Sequence, residues 1–162
     1  MGLTSERNRA FVEQLDLYDR VLTYGEVGDL DPAPAVYIDM AGNGDVTRSV
    51  HRHLGEALAY SMVVGGTHWD HEDEAQGPDA ELVGPRPEFF FAPTQISKRT
   101  KEWGRDTLDA KVGSAWDAYT AWVDGWLQLH DAEGPHQVEA AYRELLDNRS
   151  DPRTGYVCTL RD

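Results

Sequence analysis

Residues 35–66, AVYIDMAGNGDVTRSVHRHLGEALAYSMVVGG, decide the fold. Ala35-Val36-Tyr37-Ile38-Asp39-Met40 reads as a buried strand that stops at Ala41-Gly42-Asn43-Gly44, a turn whose residues tolerate positive φ. A helix is expected at once, with Asp45 as N-cap and Val46, Val50 and Leu54 recurring every four residues before Gly55 weakens the pattern. Leu58–Gly66 returns as a strand, with Tyr60-Ser61-Met62-Val63-Val64 at its centre and Gly65-Gly66 at its close. Strand, helix, strand in this rhythm is the crossover that builds parallel sheets. His51 and His53 fall on the helix and are expected to face solvent; two residues apart, they point about 200° apart and share no ligand.

Upstream, Gly2-Leu3-Thr4 reads as the tail of a strand. Ser5 can cap a helix carrying Phe11 and Leu15 on one face, and Tyr18–Tyr24 reads as a further strand. Gly28–Pro34 is a loop. Downstream, Thr67–Pro87 reads as a long acidic surface excursion, Glu88–Pro93 as a strand, and Thr94–Gly104 as a polar connection. A helix is expected over Asp106–His130, with Leu108, Val112, Trp116, Tyr119, Val123, Trp126 and His130 tracing one stripe. A second follows over Pro135–Asp147, then a loop at Asn148–Thr154 and a terminal strand at Gly155–Leu160. The fold class is α/β: an incomplete parallel sheet with crossover helices, then C-terminal helices and a final strand.

Composition bounds the partners. A chain of 162 residues with 40% hydrophobic content and five Trp can bury a core. Fifteen Lys+Arg against 29 Asp+Glu leave a net charge of -14, which repels nucleic acid and anionic lipid. No apolar stretch approaches the roughly 20 residues of a membrane span, and no secretory signal opens the chain. The Met1-Gly2 start fails the myristoylation pattern at Glu6. The single cysteine, Cys158, fits a reducing, cytoplasmic setting.

Strands ending at Thr4-Ser5, Tyr24-Gly25, Ala41-Gly42-Asn43 and Gly65-Gly66 would line one crevice in an open parallel sheet, where ligands bind. Equally, these glycines can simply make tight turns. No G-x-G-x-x-G fingerprint and no Gly-x-Ser-x-Gly elbow occurs. His68, Asp70, His71, Glu72, Asp73 and Glu74 crowd potential metal ligands into seven residues, yet short acidic loops seldom make ligands converge, so no metal is expected. Trp103, Trp116, Trp122 and Trp126 read as core or as an interface rather than a base-stacking platform.

GLTSERNRAFVEQLDLYDRVLTYGEV (2–27), AVYIDMAGNGDVTRSVHRHLG (35–55), LAYSMVVGGTHWD (58–70) and FFFAPTQISKR (89–99) together resemble an uncharacterised bacterial domain-of-unknown-function family of the DUF2855 type. That family is similar to a distant branch of the medium-chain dehydrogenases and reductases, near the NADPH-using quinone reductases. The resemblance implies a partial Rossmann-like nucleotide-binding domain over residues 1–104 and a C-terminal helical extension with a returning strand over 105–162, packed on the same domain. It implies a truncated chain lacking the catalytic barrel and the first Rossmann strand, with Gly155–Leu160 deprived of its strand partner.

By the same resemblance, Thr4, Ser5, Arg7, Asn8 and Arg9 match the position holding an adenosine 2′-phosphate, and Tyr24 flanks it. A hydroxyl and a guanidinium suit a phosphate, and no acid ends that strand, which agrees with NADP. Without the resemblance, Ser5 reads as a cap and the arginines as solvated charges. Ala41, Gly42 and Asn43 would border the nicotinamide ribose, and Gly65, Gly66 and Thr67 the nicotinamide end. Asp39 is as readily a buried carboxylate accepting backbone amides as a catalytic group. Phe91, Ala92 and Pro93 would border an outermost strand that pairs across a dimer. The implied function is the cofactor-domain portion of an NADPH-dependent oxidoreductase-like protein, passing hydride to a carbonyl or quinone-like acceptor and inactive alone. The alternative is a non-catalytic nucleotide-binding or self-associating module, a homo-oligomer joined through its sheet edge or its Trp-rich helices; a metal-binding protein ranks below both.

Overall fold

The computed structural model describes residues 1–66 and 82–161, which divide into two compact units, Met1–Ile96 and Ser97–Asp162. Within the described residues the first unit holds β1 (Gly2–Thr4), α1 (Arg9–Gln14), β2 (Val21–Thr23), β3 (Ala35–Asp39), α2 (Gly44–Leu54), β4 (Leu58–Val63) and β5 (Glu88–Phe89). Helix α3 (Ala92–Trp103) begins in this unit and ends in the next. Every strand pairing is parallel: β1 with β2, and β3, β4 and β5 in that order. Parallel neighbours need a crossover between them, and α2 supplies the one from β3 to β4. The chain thus has the expected α/β class with parallel strands, arranged in separate ladders.

Both ladders close on one core. Val27, Val46, Val50, Leu54 and Leu58 form its buried centre, and Leu3 of β1, Tyr24, Leu30, and Ala35 and Tyr37 of β3 pack against it. The period-two pleat puts Val36 and Ile38 on the opposite face of β3, where they are 60% and 55% exposed. Parallel sheets are ordinarily covered on both faces, which makes the exposure of these two side chains on β3 notable.

Several local expectations are corrected. Asn43, not Asp45, caps α2: its backbone is extended and its side-chain oxygen accepts from the amides of Asp45 (3.1 Å) and Val46 (3.2 Å). Asp45 lies in the first turn instead, paired with Arg48. Ser5 precedes a 3-10 turn, Glu6–Asn8, without a side-chain cap, and the helix proper begins at Arg9. The strand expected over Tyr18–Tyr24 is confined to Val21–Thr23, because Thr23 and Glu26 form a reciprocal capping box that turns the chain into the 3-10 segment Tyr24–Asp29. The strand expected over Glu88–Pro93 is only Glu88–Phe89, and the polar connection at Thr94–Gly104 is largely helical. Pro93 sits in the first turn of α3, where a missing N–H costs nothing, and no residue of that helix is buried, so no apolar stripe announces it.

The second unit contains α4 (Arg105–Val123), β6 (Gln128–Glu133), α5 (Gly134–Leu146) and β7 (Thr154–Thr159). The helix expected to reach His130 stops at Val123, where Asp124 and Gly125 close a turn onto the carbonyls of Thr120 and Trp122. His130 instead lies on β6 opposite Tyr156, ring edge to ring face at 5.6 Å. The terminal strand has a partner after all: β6 and β7 pair in parallel from Gln128↔Thr154 to Glu133↔Thr159. On α4 only Leu108 and Val123 are buried, whereas Trp116 is 63% exposed. Among the described residues, no helix is long and apolar enough to cross a membrane.

Candidate functional site

The carboxyl ends of β1 and β2 lie side by side, since Thr4 pairs with Thr23. Thr4 is buried, Ser5, Asn8, Arg9 and Tyr24 are half-buried, and Arg7 is exposed. Arg9, the first residue of α1, forms an ion pair with Glu26, three residues beyond the end of β2. The same Glu26 Oε2 accepts the Thr23 amide at 2.8 Å and the Thr23 hydroxyl at 3.1 Å. The Thr23 amide, with the Arg9 guanidinium and the Thr23 hydroxyl, holds the Glu26 carboxyl below the usual carboxylate range. Arg9 Nε is buried without a hydrogen-bond partner. Glu26 escaped the sequence reading, although Thr23-x-x-Glu26 is the capping-box spacing that could have found it.

Beyond β3 the turn is organised by Asp39. Its Oδ1 accepts the amides of Ala41 (2.9 Å) and Gly42 (2.8 Å), and its Oδ2 accepts the Thr47 hydroxyl at 3.0 Å. Of the two readings open for Asp39, the structure displays the carboxylate that accepts backbone amides. Gly42 has φ 71°, a conformation that favours glycine. The ends of β3 and β4 meet here: Val64 and Gly65 donate to the Asp39 carbonyl at 2.8 and 3.4 Å, and a Cβ on Gly65 would come within 2.9 Å of the Met40 carbonyl oxygen. Burial raises the Tyr24 phenol, and the Asp39 carboxylate adds to the rise.

The strand ends are linked in two pairs: Thr4 with Thr23 and Arg9 with Glu26 beyond β1 and β2, and Asp39 with Val64 and Gly65 beyond β3 and β4. Ala41, Gly42 and Asn43 line the third turn, with Asn43 committed to capping α2. Gly66 follows as an exposed residue, and Thr67 lies outside the described residues, as do His68, Asp70, His71, Glu72, Asp73 and Glu74. Phe91, Ala92 and Pro93 follow β5, the edge strand of its ladder among the described residues, and are exposed, with Ala92 and Pro93 opening α3.

His51 corrects the expectation of a solvent-facing residue. It is fully buried, with Nδ1 2.9 Å from the Val83 carbonyl and Nε2 2.9 Å from Ser61 Oγ. A carbonyl only accepts, so Nδ1 carries the proton and Nε2 accepts the Ser61 hydroxyl. A hydroxyl donating to an imidazole is the geometry of nucleophile activation, but neither side chain reaches solvent. The pair ties Val83 to α2 and β4. Its signal was present in the sequence: Thr47, Val50, His51 and Leu54 share one wide stripe at helical spacing. His53 faces elsewhere, with Nε2 2.7 Å from the Leu30 carbonyl.

The strand ends thus gather one guanidinium engaged by the Glu26 carboxylate, the Thr4 and Thr23 hydroxyls, and a glycine-bearing turn built on the Asp39 carboxylate. No curated protein and no solved structure matches this chain. The model of a family described as "Protein of unknown function (DUF2855)" matches residues 1–151, and the chain belongs to that family.

Proposed function

We infer that the first unit is the cofactor-holding part of an NADPH-dependent oxidoreductase-like protein, related to the medium-chain dehydrogenases and reductases. The observation that carries the reading is the set of strand ends paired across β1–β2 and β3–β4, with Arg9 opening α1 after β1 and no acid on Thr4-Ser5. Strand order supports it: a doubly wound sheet of order 3-2-1-4-5-6 has a 2-3 pair and a 4-5-6 triplet, the arrangement of β1–β2 and β3–β4–β5. Arg9, Thr4 and Ser5 would hold the 2′-phosphate, Tyr24 would flank it, and the turns at Ala41–Asn43 and Gly65-Gly66 would lie along the ribose and nicotinamide. NADPH, when bound, supplies the hydride; the chain's residues position it. With Asp39 consumed by the turn, the chain alone is not expected to reduce a carbonyl or quinone-like acceptor.

Titration of NADPH fluorescence against the purified chain tests the reading. Saturable binding below about 1 mM, weaker for NADH, is expected; no binding in that range overturns it. A second reading, self-association, is favoured by the exposed Val112, Trp116 and Tyr119 on α4. Light scattering distinguishes it: a concentration-independent monomer removes the homo-oligomer.

A further inference from the structure

The Arg9 fork has an occupant. Its terminal nitrogen donates to Glu26 Oε2, and that single oxygen also receives both Thr23 donors, while Arg9 Nε stays buried and unpartnered. A guanidinium is shaped to give two parallel hydrogen bonds to one anion, and here it gives one. A buried N–H left unpaired carries a desolvation penalty. A phosphate, with three acceptor oxygens and a fuller charge, can serve both nitrogens where the carboxylate serves one.

We propose that Glu26 is an internal competitor for Arg9: it occupies the fork until a 2′-phosphorylated nucleotide displaces it, and so sets the threshold for that ligand. The proposal rests on the reading of the β1 end as the 2′-phosphate subsite. Glu26 is built to let go. When Arg9 leaves, its carboxylate keeps the Thr23 amide and hydroxyl, so the capping box survives and no charge is stranded. The two side chains are 30% and 36% exposed, so neither must be dragged from a dry interior. Displacement leaves a carboxylate near the incoming phosphate, which opposes binding through like charge. The competitor therefore weakens every 2′-phosphorylated ligand and leaves ligands without that phosphate untouched.

The test is calorimetric titration of 2′,5′-ADP and of 5′-AMP into the wild-type chain, Glu26→Gln and Arg9→Gln. Glu26→Gln keeps an oxygen for the Thr23 donors and removes the competing charge. It should tighten 2′,5′-ADP roughly three- to tenfold while moving 5′-AMP less than about twofold. Arg9→Gln should abolish the preference for 2′,5′-ADP. A folded Glu26→Gln chain that binds 2′,5′-ADP no more tightly, or gains equally for 5′-AMP, overturns the competitor and leaves the cofactor reading standing. Failure of wild type and variants alike to bind 2′,5′-ADP overturns both. Should Glu26→Gln not fold, the wild type still decides: saturating 2′,5′-ADP should shift the Arg9 Nε–H resonance and slow its exchange, and an unchanged resonance refutes the proposal.

Discussion

Two of the parallel strand–helix–strand units among the described residues, β3–α2–β4 and β6–α5–β7, share a topology and differ in burial. Helix α2 buries Val46, Thr47, Val50, His51 and Leu54 against its sheet; α5 buries Gly134 and Ala141, and β6 buries Ala132. Leu129, Tyr142, Leu145, Leu146, Val157 and Leu160 stay more than two-fifths exposed in the second unit. The same local topology thus occurs with and without a covering layer. Parallel hydrogen bonding joins the strands in both units, and burial decides how much free energy each stores.

The largest expected effect breaks or upholds this contrast directly. Leu58 is 2% exposed at the centre of the first core, and Leu58→Ala should cost about 2–5 kcal/mol of unfolding free energy. Leu145→Ala, on the open face of α5, should stay within about 0.5 kcal/mol. Urea denaturation of the two variants decides it; equal losses would mean that the face of α5 is covered in solution, and would favour self-association.

A second effect separates the units by pH. Burial pushes the Tyr37 phenol up to about 12, with Asp39 and Tyr24 adding and a Thr47 hydrogen bond opposing. The folded state therefore holds a proton that the unfolded chain releases near pH 10. The stabilisation is complete below pH 10 and is lost as pH rises through about 12, roughly 2–3 kcal/mol in all. Denaturation midpoints of the wild type should fall steeply across that window, and Tyr37→Phe should flatten the fall.

Legibility followed the same divide. The β3–α2–β4 crossover could be read from residues 35–66 because Val46, Val50 and Leu54 recur at helical spacing and are buried, with Leu58 and Val63 buried on the strand that follows; the expectation of a wholly buried β3 failed at Val36, Ile38 and Met40, which are exposed. The helix expected through His130 failed because Trp126, Leu129 and His130 continue the helical spacing of Trp122 and Val123 in sequence, while the turn at Asp124-Gly125 ends the helix before them. Helix α3 was invisible because it buries nothing. At the candidate site, the turn at Gly42 could be read from residue type, whereas the Arg9–Glu26 pair could not, since its members lie 17 residues apart and only the parallel register of β1 and β2 brings them together.

The smallest effect lies at the helix starts. In α2 the Asn43 side chain satisfies two amides that the helix leaves unpaired, and it fixes the turn that follows Asp39. In α5 the residue before the helix, Glu133, offers no side-chain cap, and its own amide is satisfied by Gln137 at 3.0 Å. Asn43→Ala should therefore cost about 1 kcal/mol, Asp45→Ala only a few tenths from the lost helix-dipole and Arg48 interactions, and Gln137→Ala no more than about 0.5 kcal/mol. Thermal melts of the three variants rank them. If Asp45→Ala cost more than Asn43→Ala, the cap would be the aspartate in solution, Gly44 would no longer begin the helix, and the turn at Ala41–Asn43 would present different backbone donors to a ligand.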